Sequence, residues 1–180
     1  MKKRVLCLLA DGFEEIETVT PVDLLRRAGV GVVVAATGSE LSATGRSGIT
    51  LRADAVLETA PASAGFDLLL IPGGPAVAAL RKDARIPPLV RDFHESGKII
   101  AAICAGPLVL HDAGLLEGRR FTAHASVRDE LPGAAGDRVV ADGPLITSRG
   151  AGTAVDFSLA VVAALVGEPA AADVAEAIMA

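Results

Sequence analysis

Short apolar runs alternate along the chain with segments in which apolar residues recur every three or four positions. A run of four to eight apolar residues bounded by turn residues suits a strand buried on both faces, and the longer spacing suits a helix lying on the sheet. On that basis Val5 to Leu9 is a first strand. Glu14 to Ala28 is a helix, with Ile16, Val19, Leu24 and Leu25 roughly on one face and Gly29 as its stop. Pro21 interrupts it, and Thr20-Pro21 also has the form of a cap and first helical position, so an opening turn that runs into a helix is the alternative. Val32 to Ala36 is the second strand, TGSELSATGRSGI a turn-rich excursion, and Ile49 to Leu51 a weaker strand. Asp67 to Ile71 is a buried strand closed by Pro72-Gly73-Gly74-Pro75, followed by helical segments at Ala76 to Leu80 and Pro88 to Ser96. Ile99 to Ile103 is a strand and Pro107 to Asp112 a helix that tolerates proline in its first turn. Phe121 to His124 is a short strand end, while Arg138 to Ala141 and Leu145 to Thr147 make a hairpin around Asp142-Gly143. A helix from Thr153 to Val166 and a terminal Ala-rich helix complete the pattern. This alternation predicts an α/β fold, a mostly parallel sheet with helices on both faces, as one domain over 1–180.

Composition narrows the classes of function. Of the 180 residues 51% are hydrophobic, yet Trp and Tyr are absent and Phe occurs five times, so Ala, Val, Leu and Ile must pack the core. The net charge is -5 and the 17 Lys and Arg are scattered, which leaves no basic stripe for a nucleic acid as the main partner. Two cysteines make no disulfide framework, which points to a reducing, cytoplasmic compartment. The apolar run Val5 to Ala10 is too short for a signal-peptide core, and Ala154 to Val166 is short and broken by Asp156, so no membrane role is expected. No histidine pair has metal-ligand spacing, and no metal is expected.

In an open parallel sheet working residues gather beyond the carboxyl ends of the strands. Glu17, Cys104 and His124 all follow strand ends and so can share one crevice. Cys104 stands between a strand and a helix among Ala102, Ala105 and Gly106, whose small size lets a tight, strained turn close and lift the thiol above the sheet. Amides of the following helix aimed at the sulfur would lower its pKa from about 8.5 and favour the thiolate. The competing reading is an ordinary buried cysteine, and for Cys7, in mid-strand, that reading is the better one. Glu14 and Glu15 are expected to face solvent. Glu17 lies near the buried side and can have a raised pKa, serving either as a hydrogen-bond donor to sulfur or as a base. His124 is equally readable as structural or catalytic, and His94 and His111 on exposed-looking helix faces are weaker candidates. Gly73-Gly74 is a tight turn that also lets an amide approach a ligand: Gly74 with Ala105 can form an oxyanion hole.

ADGFEEIETVTPVDLLRRAG, LLIPGG, AAICAGP, FTAH and LITSRGAGT, in this order, resemble the ThiJ/PfpI superfamily, in the DJ-one-like branch of the Parkinson-disease-associated protein deglycase. The likeness spans nearly the whole chain and implies a flavodoxin-like three-layer sandwich, usually a homodimer. It implies that Cys104 is the nucleophile and peroxide-sensitive thiol, Glu17 the protonated carboxyl that hydrogen-bonds it, Gly74 and Ala105 the amide site, and His124 a nearby histidine. Arg46 matches an arginine that reaches the site from the partner subunit, and Arg27 one at the dimer interface. A histidine directly after the cysteine, as in the protease-like branch, is replaced here by Ala105, and the later His-x-Glu pair of the glutamine amidotransferases is absent. The implied activity is a cofactor-independent glyoxalase or deglycase taking methylglyoxal, glyoxal or early glycation adducts. The implied alternative is a redox sensor or redox-regulated chaperone, acting in an oxidative-stress response, whose Cys104 is oxidised to sulfinic acid.

Overall fold

The computed structural model describes residues 2–57 and 63–180. Its strands are β1 (Arg4–Leu9), β2 (Gly31–Ala36), β3 (Ser42–Thr44), β4 (Thr50–Arg52), β5 (Ala55–Val56), β6 (Leu68–Ile71), β7 (Ile99–Ile103), β8 (Val139–Asp142) and β9 (Leu145–Ser148). The helices are α1 (Glu15–Arg27), α2 (Val77–Lys82), α3 (Ile86–Glu95), α4 (Pro107–Asp112), α5 (Ala154–Val166) and α6 (Glu168–Ala177). Seven strands form the main sheet in the order β5-β2-β1-β6-β7-β9-β8, parallel except for the β8–β9 hairpin. The central strands β6 and β7 are apolar throughout because helices cover both of their faces: every residue of β6 is fully buried. Helices α1, α5 and α6 pack on one another, as do α2, α3 and α4, so that the sheet lies between two helical layers in a flavodoxin-like sandwich.

From β1 the chain crosses to β2 on one side, and β6 then pairs with β1 on the other. Such a reversal opens a crevice at the carboxyl ends of the two strands, where the connecting loops part. Register fixes what borders it. Ile71, the last residue of β6, lies beside Ala102 of β7, so the Pro72-Gly73-Gly74 loop and Cys104 emerge next to each other.

Several expectations change in the folded chain. Helix α1 is continuous through Pro21, whose missing N–H leaves the Glu17 carbonyl without its usual helical partner. The helix persists because Leu24 and Leu25 anchor it to the core and the Glu14 carboxylate caps its start, accepting from the Glu17 amide at 2.8 Å. Its inward face carries Glu15, Glu17 and Thr18, whereas Ile16 and Val19 are 53% and 45% exposed. Glu14 and Glu15, expected in solvent, are buried as well; Glu15 accepts from the Ser47 amide at 2.7 Å. The turn-rich excursion contains β3, which pairs with β4 in a separate two-stranded sheet instead of joining the main one. Residues 121–124 make only an isolated bridge, Thr122 to Ala135, and the hairpin turn is Gly143-Pro144, one residue later than expected.

Candidate active site

Cys104 directly follows β7 with φ +64°, a left-handed backbone that L residues other than glycine rarely adopt. Two hydrogen bonds hold it there: its amide donates to the Ser148 carbonyl at 2.8 Å, and its carbonyl accepts from the His124 amide at 2.9 Å. The turn closes because Gly106 has no side chain; a Cβ there would stand 2.7 Å from the Ile71 carbonyl oxygen. The strained elbow expected from AAICAGP is therefore present, with the sulfur partly accessible.

Glu17 comes to this sulfur from the first turn of α1. It is 1% exposed, its Oε2 accepts from the Gly73 amide at 3.1 Å, and its carboxyl is hydrogen-bonded to Cys104. Gly73 is the spacer between them. A Cβ at that position would lie 2.5 Å from Glu17 Oε2 and 2.6 Å from Cys104 Cβ. Gly74, at φ +90°, is equally constrained by the Gly12 carbonyl and the Glu14 amide, and its own N–H points at the Cys104 sulfur together with that of Ala105.

Burial pushes Glu17 up to about 7, with the Glu14 carboxylate adding to the rise and the bond to Cys104, the Gly73 amide and Arg46 opposing it. The sulfur corrects the expectation of a lowered pKa. Burial, then the negative charge and hydrogen bond of Glu17, push Cys104 up to about 12, outweighing the Gly74 and Ala105 amides. The amides aim as expected, but the carboxylate beside them is the stronger influence. Moving the proton from sulfur to Glu17 removes that repulsion, because the resulting neutral carboxyl donates to the thiolate.

A cavity of about 350 Å³ opens over the sulfur, lined by Glu14, Glu17, Arg46, Gly74, Pro75, Cys104, Ala105, His124, Ser126 and Ala151. Glu17, Cys104, Gly74, Ala105 and His124, the residues expected at strand ends and in the turns beside them, all line this one space. Arg46 lines this cavity within its own chain, carried there by a loop whose amide donates to the Phe13 carbonyl at 2.9 Å. Arg27 does not line the cavity; it pairs with Asp23 one turn earlier at 2.8 Å. His94, thought exposed, is half-buried on α3 with a sequestered Nδ1.

Ser126 and Ala151 were not singled out beforehand. The Ser126 amide donates to His124 Nδ1 at 3.1 Å, with its hydroxyl 2.8 Å from the same nitrogen. A backbone N–H can only donate, so Nδ1 is the acceptor and the ring proton sits on Nε2. Nothing in the serine's sequence context marks it, since the two-residue spacing to His124 has meaning only in this turn. No group of three or more potential metal-ligating side chains occurs among the described residues. No helix there is long and apolar enough to cross a membrane.

Comparison with known proteins points to one family. The model of the DJ-1/PfpI family matches residues 3–164. A Parkinson disease protein 7 homolog of Danio rerio is 38% identical over 96% of this chain and 94% of its own. A deglycase of Thermococcus kodakarensis is 34% identical over 81% of this chain and 89% of its own. The crystal structure of Drosophila melanogaster DJ-1beta superposes with a TM-score of 0.94 at 35% identity, covering 99% of this chain and 98% of that one.

Proposed function

The chain belongs to the DJ-1/PfpI family, and from that premise we propose that it is a cysteine-dependent glyoxalase or deglycase needing no cofactor, acting on methylglyoxal, glyoxal or early glycation adducts. The observation that carries this reading is the Glu17 carboxyl, buried beside the Cys104 thiol in a cavity that Gly74, Ala105 and His124 also line, where burial pushes both groups' pKa values up. Cys104 Sγ adds to the aldehyde carbon while its proton passes to the Glu17 carboxylate. The new oxyanion meets the Gly74 and Ala105 amides and is protonated to a hemithioacetal. Glu17, returned to its ionised form, removes the proton on the former aldehyde carbon; that proton is delivered to the adjacent carbonyl carbon while the hemithioacetal hydroxyl proton passes to that carbon's oxygen, to which His124 Nε2–H donates, leaving a 2-hydroxy thioester. Water then releases the hydroxy acid and the thiol. A base near neutrality can both take and return a proton at each step. Lactate formation from methylglyoxal should fall at least about a thousandfold in Cys104→Ser and about a hundredfold in Glu17→Gln. Unchanged turnover in Cys104→Ser rules the scheme out.

The same pair supports a second reading, a redox-sensing thiol. A protonated Glu17 and two amides can hydrogen-bond the oxygens of a Cys104 sulfinic acid. After mild peroxide, intact-peptide mass spectrometry should find two added oxygens on Cys104 and none on Cys7; equal oxidation of both removes this reading.

We further propose a homodimer formed through the face bearing Ile16, Val19 and Ile49, all more than 40% exposed although large and apolar. Val19→Glu should convert a dimer to monomer in sedimentation equilibrium, and a wild-type monomer at micromolar concentration would refute the assembly.

A further inference from the structure

A second cavity, about 470 Å³, adjoins the one over Cys104, and His124 and Ala151 line both. Its walls differ in charge from the first. Arg138 and Arg149 line it and none of its lining residues is acidic, whereas the Cys104 cavity carries Glu14 and Glu17. The two arginines are not equivalent. Arg138 is neutralised by Asp156, with Nε 2.8 Å from the carboxylate, and bonds the Gly152 carbonyl at 3.1 Å. Arg149 has no carboxylate partner among the described residues and is steadied only by the Gly136 carbonyl at 3.2 Å.

The loop that carries Arg149 is rigid. Ser148 Oγ lies 2.8 Å from the Arg138 carbonyl oxygen, Thr153 Oγ1 2.7 Å from the Gly150 carbonyl oxygen, and the two hydroxyls 2.6 Å apart, so that one hydroxyl donates to a carbonyl and the other to its neighbour. Between them the amides of Ala151 and Gly152 find no acceptor among the described residues. An unpaired guanidinium beside free amides at the wall of a cavity without carboxylates is suited to an anion.

We propose that this second cavity is a subsite for a carboxylate on the substrate, with Arg149 as its principal contact. The inference rests on the glyoxalase reading and specifies its substrate class: α-oxoaldehydes whose tail ends in a carboxylate, exemplified by 4,5-dioxopentanoate. The aldehyde meets Cys104 and the tail passes His124 and Ala151 to reach Arg149. The reaction takes up one water; the aldehyde carbon is oxidised to a carboxylate and the adjacent ketone reduced to an alcohol, so that 2-hydroxyglutarate forms without an external oxidant or reductant.

The experiment compares kcat/KM for 4,5-dioxopentanoate with that for 2-oxopentanal, which has the same chain length and no charge, in wild type, Arg149→Gln and Arg149→Lys. A charge-assisted hydrogen bond at a half-open site corresponds to about a tenfold preference for the acid. That ratio should fall toward one in Arg149→Gln, chiefly through KM, and be partly restored in Arg149→Lys. Turnover of both substrates with no preference in wild type, or a preference that survives Arg149→Gln, overturns the subsite while leaving the glyoxalase reading intact. If neither substrate nor methylglyoxal is turned over, the glyoxalase reading fails, and the subsite is decided by binding alone. In that case 2-hydroxyglutarate, but not the uncharged pentane-1,2-diol, should shift the amide resonances of Gly150, Ala151 and Gly152 in wild type and not in Arg149→Gln. Equal shifts from both compounds, or none, refute it.

Discussion

Cys7 and Cys104 are both buried enough for their thiols to be pushed up to about 12, yet their surroundings give them opposite prospects. Cys7 lies in the middle of β1 between Val34 and Leu70 on the neighbouring strands, with no accessible surface. Its S–H reaches only the Leu8 carbonyl, at 3.8 Å, and the distant charges of Arg26 and Asp54 act in opposite directions. At Cys104 burial is again the largest cause, but Glu17, which is itself the proton acceptor, adds its charge and its hydrogen bond to the rise. A high thiol pKa therefore does not identify an inert cysteine. What separates the two is whether the cause of the rise can take the proton away.

Alkylation of the native protein tests this contrast most severely. Iodoacetamide should modify Cys104 at least about a thousandfold faster than Cys7, because Cys7 reacts only through openings of the central sheet. Comparable rates would show that the cavity over Cys104 gives it no advantage. The next largest effect is expected at Gly73. An added methyl must separate Glu17 from Cys104, and a displacement of about an ångström in such a pair costs on the order of a hundredfold in rate. Gly73→Ala should lower kcat/KM for methylglyoxal by that factor while Cys7 labelling stays slow; a loss under threefold would mean that the close packing is not what couples the two groups.

The parts of this arrangement that sequence could disclose are those encoded locally. IIAAICAGP announces a strand ending in a tight turn through its run of small residues, and the left-handed Cys104 follows from it. Glu17 was distinguishable from its neighbours only by its position along the helix. Even so, Glu14 and Glu15 proved buried, because their partners, the Glu17 amide and the Ser47 amide, come from capping geometry and from a loop 32 residues away. The lowered thiol pKa failed for a related reason. The adjacent amides and Glu17 were both visible, but how far burial and the Glu17 charge outweigh those amides depends on packing that adjacency in sequence does not encode. Arg46 and Ser126 show the same limit: what each does depends on how a turn folds back on the site.

A smaller effect separates Glu17 from the other carboxylates. Its folded pKa of about 7 exceeds the ordinary value of 4.5, so between these pH values the native state holds a proton that the unfolded chain has released. Stability must then decline as pH rises through that window, by about 2 to 3 kcal/mol from this group. Subtracting the Glu17→Gln profile from that of wild type should isolate the decline, and a difference that is flat from pH 4.5 to 7 would contradict the raised pKa. Activity should move the other way, rising through about pH 7 as the carboxylate that accepts the thiol proton forms.

The mildest perturbation belongs to Cys7. Replacing it with alanine removes one sulfur from a strand flanked by Val34 and Leu70, a small cavity with no polar group left unpaired, and costs about 1 kcal/mol. For a chain of 180 residues that corresponds to a fall in Tm of roughly 2 to 4 °C. Because β1 leads directly into the loop that presents Glu17, the variant also asks whether the strand does more than support it. If packing is its whole role, kcat/KM stays within about twofold of wild type at temperatures well below Tm. A tenfold loss of activity with an unchanged Tm would instead mean that the sulfur at position 7 communicates with the site, and that the division between a filler thiol and a reactive one is wrong.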